Sequence, residues 1–340
     1  ADVGNSQSRR VQGKVCEVIS MYVKGVGMTK FGTQTDTSQE LVYEAILEAL
    51  EDANIGLEEI DAIVSSVVDT TCNGERQRGF SSILSSMLKK KIPIITSSAV
   101  CGSGGAVIWT ANKLDYGNVL VVGSERLLAN NTCVTTDEIL MAAERIYEQS
   151  EGLIFPAQNA LVAQQYMLRY GATTDDFALV AYKNHQNAYL NPKARFYKRK
   201  VSLEEIKNSP VVASPLRLFD CSLSVNGAAA AVLTKEKTDI EIAGSSLFVD
   251  RLSAFESEDM TTWQATKLAA EEAYKQAGIT PEDIDIAELH DAFTPVELIS
   301  YEDVGFCKKG EGKYMIRKGL TNLNGILPVN TSGGLKAKGH

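Results

Sequence analysis

The strongest constraint on this chain is that part of it occurs twice. Residues 49–61 read ALEDANIGLEEID and residues 273–285 read AYKQAGITPEDID. At a constant offset of 224, Ala49, Ala53, Ile55, Glu58, Ile60 and Asp61 recur as Ala273, Ala277, Ile279, Glu282, Ile284 and Asp285. Each segment has the composition of a helix end, a turn and the start of a strand. A second echo lies downstream, where PIITS at 93–97 resembles PVNTS at 328–332, again at the start of a third strand. A chain of two copies of one βαβαβ-type unit, the second beginning near Ile240, must fold each copy and bury the two together.

The first copy is legible element by element. Residues 21–27 (MYVKGVG) alternate like a strand, and Thr37 with Glu40 three residues later forms a capping box. Val42, Ile46, Ala49, Leu50 and Ala53 then share one helical face. Strands are expected at 60–68, 92–97 and 118–123, with helices at 78–89 and 101–116. This alternation predicts an α/β protein with a buried, mainly parallel sheet. Residues 126–224 break the rhythm and read as an inserted loop domain covering one face of the sheet, after which strand character returns at 228–234. The expected organisation is 1–20 as a leader outside the fold, 21–125 plus 225–236 as the first half, 126–224 as the loop domain and 237–340 as the second half.

Composition removes whole classes of function. Thirty-four basic residues against 43 acidic ones give a net charge of −9, which argues against a nucleic-acid partner. No apolar run reaches the roughly 18 residues that cross a bilayer. The six cysteines form no CxxC pair, so a zinc or redox site is not expected, nor any metal; reduced thiols in a cytoplasmic protein are.

Three chemically distinctive residues fall just beyond strand ends, where open α/β sheets bind ligands. Cys101 opens CGSGG, at the start of a helix whose free N–H groups favour a thiolate. A small cysteine on a tightly packed helix is the competing reading. His290 and His340 lie in Asp- or Gly-containing turns, where an imidazole serves as base or oxyanion donor, or simply as a turn residue. His185 sits on a helix of the insert and reads as structural. Lys193, Arg195, Lys198, Arg199 and Lys200 form either a solvated face or a landing site for a phosphate.

SSAVCGSGG around Cys101, ELHDAF around His290 and NTSGGLKAKGH up to His340, in that order, resemble the thiolase superfamily. The likeness is to the archaeal and bacterial acetyl-CoA acetyltransferase branch related to sterol-carrier-protein thiolases, and it covers residues 21–340. It implies two βαβαβαββ halves in an αβαβα layering with an inserted loop domain. It further implies that Cys101 accepts an acyl group from a coenzyme A thioester, that His340 activates Cys101 and helps build an oxyanion hole, and that His290 serves the same oxygen. Ser222, Arg195 and Lys198 would contact coenzyme A, which is substrate rather than cofactor. The implied activity is acetyl-CoA C-acetyltransferase, making acetoacetyl-CoA for mevalonate and isoprenoid synthesis. Implied partners are a second copy of the chain, as homodimer or homotetramer, with 3-hydroxy-3-methylglutaryl-CoA synthase and a zinc-ribbon/OB-fold protein. A retro-aldolase acting on an acyl-CoA side chain and a non-catalytic acyl-CoA-binding scaffold are the alternatives. The family's second catalytic cysteine has no counterpart here, and the second repeat stops after its third strand, so a truncated second half is expected.

Overall fold

The computed structural model describes residues 21–67, 74–75, 77–128, 131–253 and 256–340; the expected leader at 1–20 and Val68, the last residue of the second expected strand, lie outside these. In chain order the elements are β1 (Tyr22–Met28), α1 (Ser38–Ala53), β2 (Ala62–Ser66), α2 (Phe80–Leu88), β3 (Ile94–Thr96), α3 (Ser103–Ala111) and β4 (Asn118–Arg126). The insert carries α4 (Thr132–Leu140), α5 (Phe155–Tyr170), α6 (Thr174–Leu190), α7 (Leu203–Lys207) and a small ribbon of β5 (Val211–Ala213) and β6 (Leu216–Arg217). There follow β7 (Asn226–Thr234), β8 (Ile240–Glu241), α8 (Gln264–Ala277), α9 (Thr294–Asp303) and α10 (Gly312–Arg317).

The main sheet has the order β3-β2-β4-β7-β1-β8. Its pairing is more antiparallel than the sequence suggests. β2 runs parallel to β3 and β4, but β7 is antiparallel to both β4 and β1. The insert explains this: it leaves from the end of β4 and hands the chain back there, so β7 must return in the opposite direction. Alternation sorts the strand residues to two faces. Ile63, Leu120, Val122 and Val232 face α1 and α2, whereas Val64, Val119, Val121 and Leu233 face α3.

Helix α1 lies unusually close to β1. Its small-residue row Ala45, Ala49 and Ala53 is fully or nearly fully buried. A Cβ added at Gly25 would sit 2.3 Å from the Ala53 nitrogen, and one at Gly27 would sit 2.2 Å from the Ala45 oxygen. Both glycines are therefore required by contact.

The repeat is real in three dimensions. Helix α1 ends at Asn54 in the left-handed conformation (φ 52), and α8 ends at Gly278 in the same conformation (φ 70). Single 3-10 turns follow at Leu57–Glu59 and Pro281–Asp283, leading to Ile60 and Ile284 with nearly equal backbone angles. Ile63 then pairs in parallel with Ile94, its N–H bonding Pro93 O at 2.9 Å. Ala287, its counterpart, pairs in parallel with Val329 and bonds Pro328 O at 3.1 Å. Both sequence echoes thus meet in the same kind of contact.

The second copy stops being a strand after that one bridge. The next ladder position is taken by a side chain: Asn330, at φ 55, accepts the Leu289 N–H on its Oδ1 at 2.7 Å. Glu288 likewise accepts the Ser332 N–H at 2.8 Å. Residues 284–293, which the repeat aligns with the strand expected at 60–68, therefore run as irregular chain.

The insert also packs differently from expectation. Every residue of α9 is buried, so it needs cover on all sides. Tyr166 of α5 and Phe177 and Val180 of α6 supply part of it, in one cluster with Phe293, Leu298, Ile299, Tyr301 and Val329. The loop domain and the second half thus share a core.

Candidate active site

Cys101 sits at the middle of a 3-10 turn, Val100–Gly102, immediately before α3. Val100 holds φ at 49, a conformation that costs a β-branched residue on the order of 1–3 kcal/mol. Ser103 secures it: its hydroxyl donates to Val100 O at 2.6 Å and accepts from Ala99 N at 2.9 Å. The turn presents Cys101 to solvent, so the tightly packed alternative is excluded. A Cβ at Gly104 or Gly105 would meet nothing within 4 Å, leaving room for a ligand over the start of α3.

Three remote segments converge there. A Cys101 Sγ and one ring nitrogen each of His290 and His340 all lie within 4.8 Å of one another. The two imidazole rings stand edge to face, with centroids 5.7 Å apart. Backbone bonds lock His340 in place: its N–H donates to Leu223 O at 2.9 Å, and its carbonyl accepts from Val225 N at 3.1 Å. These bonds join the segment to the approach of β7.

The electrostatics are those of a neutral resting site. Desolvation sets the Cys101 thiol above its ordinary value; its own backbone N–H opposes this, and Glu125 on β4 adds to it. The helix-terminus effect expected for a thiolate is therefore outweighed. His340 is pushed down to about 4, first by desolvation and then by His290. His290 is lowered by desolvation alone. Cys101 and His290 keep exposed surface despite the protein around them, as groups at a cleft mouth do. A thiol with two neutral imidazoles is also a donor set that suits zinc.

Of the residues expected to bind coenzyme A, Ser222 touches this cluster and Arg195 lies beside the segment that carries His340. Ser222 Oγ lies 3.2 Å from His340 Nδ1, so within the protein its partner is the imidazole. Arg195 is exposed and its N–H bonds Lys338 O at 2.9 Å, which places it beside the segment carrying His340. Lys198 is exposed with its ammonium over the Tyr197 ring. In the same run Lys193 pairs with Glu48 at 2.8 Å, and Arg199 lies over Phe196.

His185 and Cys307 are elsewhere. His185 is 1% exposed, edge-on to Phe196 and Phe219, and pushed down to about 2 by burial. Cys307 packs against the cluster around Tyr166 with its thiol pushed up to about 12. Two contributors were not legible as such in the sequence: Glu125, which acts on Cys101 through space, and Ser222 as partner of His340. The second had a signal, since Ser222 lies four residues before β7 and the fold brings that approach to the chain's last histidine.

Residues 21–237 match the family described as thiolase, N-terminal domain, and residues 247–340 match thiolase C-terminal domain-like. An acetyl-CoA acetyltransferase of Methanothermobacter thermautotrophicus is 36% identical over 330 residues, covering 94% of this chain and 85% of that one. Sterol carrier protein 2 of Bos taurus is 31% identical over 94% of this chain and 63% of its own length. Among solved structures, an Ltp2-ChsH2(DUF35) aldolase superposes with a TM-score of 0.77 at 26% identity, covering 95% of this chain and 86% of that one.

Proposed function

The chain belongs to the thiolase family, and from that premise we propose that it is an acyl-CoA acyltransferase working through an acyl-enzyme on Cys101, with acetyl-CoA as acyl donor. One observation carries the reading: a thiol and two imidazoles from three separate segments within 4.8 Å. For His340 Nε2 to act as base, Nδ1 must carry the ring proton and donate to Ser222 Oγ. Nε2 then takes the Cys101 proton as sulfur attacks the thioester carbonyl. By this reading His290 and His340 serve one oxyanion hole for the thioester oxygen, and the backbone N–H of Cys101 contributes to a second. The carbon–sulfur bond to coenzyme A breaks, and the departing thiolate takes the proton back from His340, leaving acetyl-Cys101. Among the described residues this cluster holds one thiol, so acylation is the half-reaction these groups account for. A base outside this cluster would have to take the α-proton of a second acetyl-CoA. Its enolate carbon would then attack the acyl carbonyl, the acyl–sulfur bond to Cys101 would break, and acetoacetyl-CoA would leave with Cys101 freed as thiolate.

The relative from Methanothermobacter supports acetyl-CoA as donor. The same reading has the product feed mevalonate synthesis in the cytoplasm, by a homo-oligomer assembled with 3-hydroxy-3-methylglutaryl-CoA synthase and a zinc-ribbon/OB-fold protein. No helix among the described residues is long and apolar enough to cross a membrane. Incubation with acetyl-CoA should add one acetyl mass to the peptide containing Cys101, and Cys101→Ala should abolish it. Acetylation that survives this substitution defeats the proposal. The aldolase neighbour favours one other reading, retro-aldol cleavage of an acyl-CoA side chain. Turnover of a β-hydroxyacyl-CoA by Cys101→Ala would establish that instead.

A further inference from the structure

One buried carboxylate ties together the two segments that carry the imidazoles. Asp291 directly follows His290 and is 0% exposed. Its Oδ1 accepts the Leu335 N–H at 2.6 Å, and its Oδ2 accepts the Lys336 N–H at 3.2 Å and the Asn184 side-chain amide at 2.7 Å. Leu335 and Lys336 lie in the π turn Gly334–Lys338, which ends two residues before His340. The chain is shaped around this contact. Gly334 adopts φ 61, and a Cβ there would lie 2.1 Å from Asp291 Oδ2; a Cβ at Gly333, at φ 104, would lie 2.6 Å from the Ala188 side chain. The pair of glycines is what admits the turn.

The surroundings are charged on every side. From α6 come Lys183 and Asn184, and Lys183 pairs with Glu297 of α9 at 2.7 Å. Glu297 also accepts from Asn184 and Asn330, and from the hydroxyl of Tyr301. Lys336, on the clasped turn itself, is buried; Asp220, Cys221 and Asp291 act on it electrostatically, and its ammonium lies 3.5 Å from His185 Nε2. Burial and then Glu297 push Asp291 up to about 7, against the Leu335 and Lys336 N–H groups and Lys183.

We propose that Asp291 is the positioning residue that sets His340 against His290 and Cys101, because it holds the two N–H groups of the turn that leads into His340. This rests on reading the Cys101 cluster as the acyl-transfer site. The chain has only three histidines, so their ring signals are readily resolved by NMR. Asp291→Asn keeps one carbonyl acceptor and Asp291→Ala keeps none, so the His340 ring signals should shift in both and most in Asp291→Ala. Acetylation of Cys101 should slow about tenfold or more in Asp291→Ala through misplacement of the base, and less in Asp291→Asn, with KM for acetyl-CoA nearly unchanged. Alkylation of Cys101 by iodoacetamide, which needs no base, should keep its wild-type rate. Asp291→Ala acetylated at the wild-type rate, or alkylation slowed as much as acetylation, overturns the proposal. If Asp291→Ala does not fold, the same pair of rates in Asp291→Asn decides. Shifted His340 signals in a protein that never acetylates Cys101 defeat the functional reading and leave the clasp standing.

Discussion

The neutral resting site predicts how the reactivity of one thiol should depend on pH. Cys101 is held above an ordinary 9.0 and His340 near 4. Both departures favour the uncharged forms, so the thiolate–imidazolium pair is the minor form at neutral pH. The assay is alkylation of Cys101 by iodoacetamide between pH 5 and 10, followed by mass spectrometry of its peptide. Only thiolate reacts, so the rate should climb about tenfold per unit until the thiol itself titrates. His340→Ala should leave this curve almost unchanged. The same variant should slow acetylation by acetyl-CoA about 10²- to 10⁴-fold, because there the base is needed in the transition state. A flat shoulder in the alkylation rate between pH 5 and 8, lost in His340→Ala, would show a standing ion pair and refute the reasoning.

Three further outcomes follow from contacts already described. Gly27→Ala pushes a methyl to 2.2 Å from the Ala45 oxygen in α1, and should lower stability to urea by about 1–3 kcal/mol or prevent folding; an unchanged midpoint would contradict the close approach. Zinc should slow alkylation of Cys101 reversibly, with EDTA restoring the rate, and this protection should weaken in His290→Ala. The folded-state pKa of His185 is depressed to about 2, so an unfolded chain binds the extra proton below about 6.5 and stability falls as pH drops. Asp291 works the opposite way, its contribution present below about 4 and lost as pH rises through 7. Replacing His185 by Gln should therefore change the slope of stability against pH between 6 and 4 by up to about 1.4 kcal/mol per unit, and an identical slope would refute the buried neutral imidazole.

The halves of the fold differed in how much of them could be read in advance, for a physical reason. Capping and turn chemistry are local, so Thr37 with Glu40, the left-handed Asn54 and Gly278, and the two 3-10 turns all appear where sequence spacing puts them. The direction of β7 was not local. It follows from where a long insert ends, and nothing in AAAAVL distinguishes a parallel from an antiparallel partner. The missing strand at 284–293 turns on Asn330, a residue more than forty positions away whose side chain takes the place of a ladder bond. Helix α9 was harder still. Its burial on every side depends on α5 and α6, which a reading of the insert as a cover for the sheet assigns to another surface.

The site shows the same division between placement and state. Position after a strand singled out Cys101; the strands expected before His290 and His340 shrink to the single Ala287–Val329 bridge, yet the three residues still meet. Their protonation was legible only in part, and for Cys101 the expected direction was reversed. A helix start argues for a thiolate, yet the field at that sulfur is set by desolvation and by Glu125 on β4, twenty-four residues further along. Such terms depend on what the fold stacks nearby and not on neighbours in sequence. The residue beside His290 illustrates the limit: in HDAF the Asp is adjacent to an imidazole it need not orient directly. Its partners are the N–H groups of residues 335 and 336, and only the glycine at 334, too close for any side chain, marks the approach. A chemical motif can thus name the reacting groups while the groups that hold them are recorded as space.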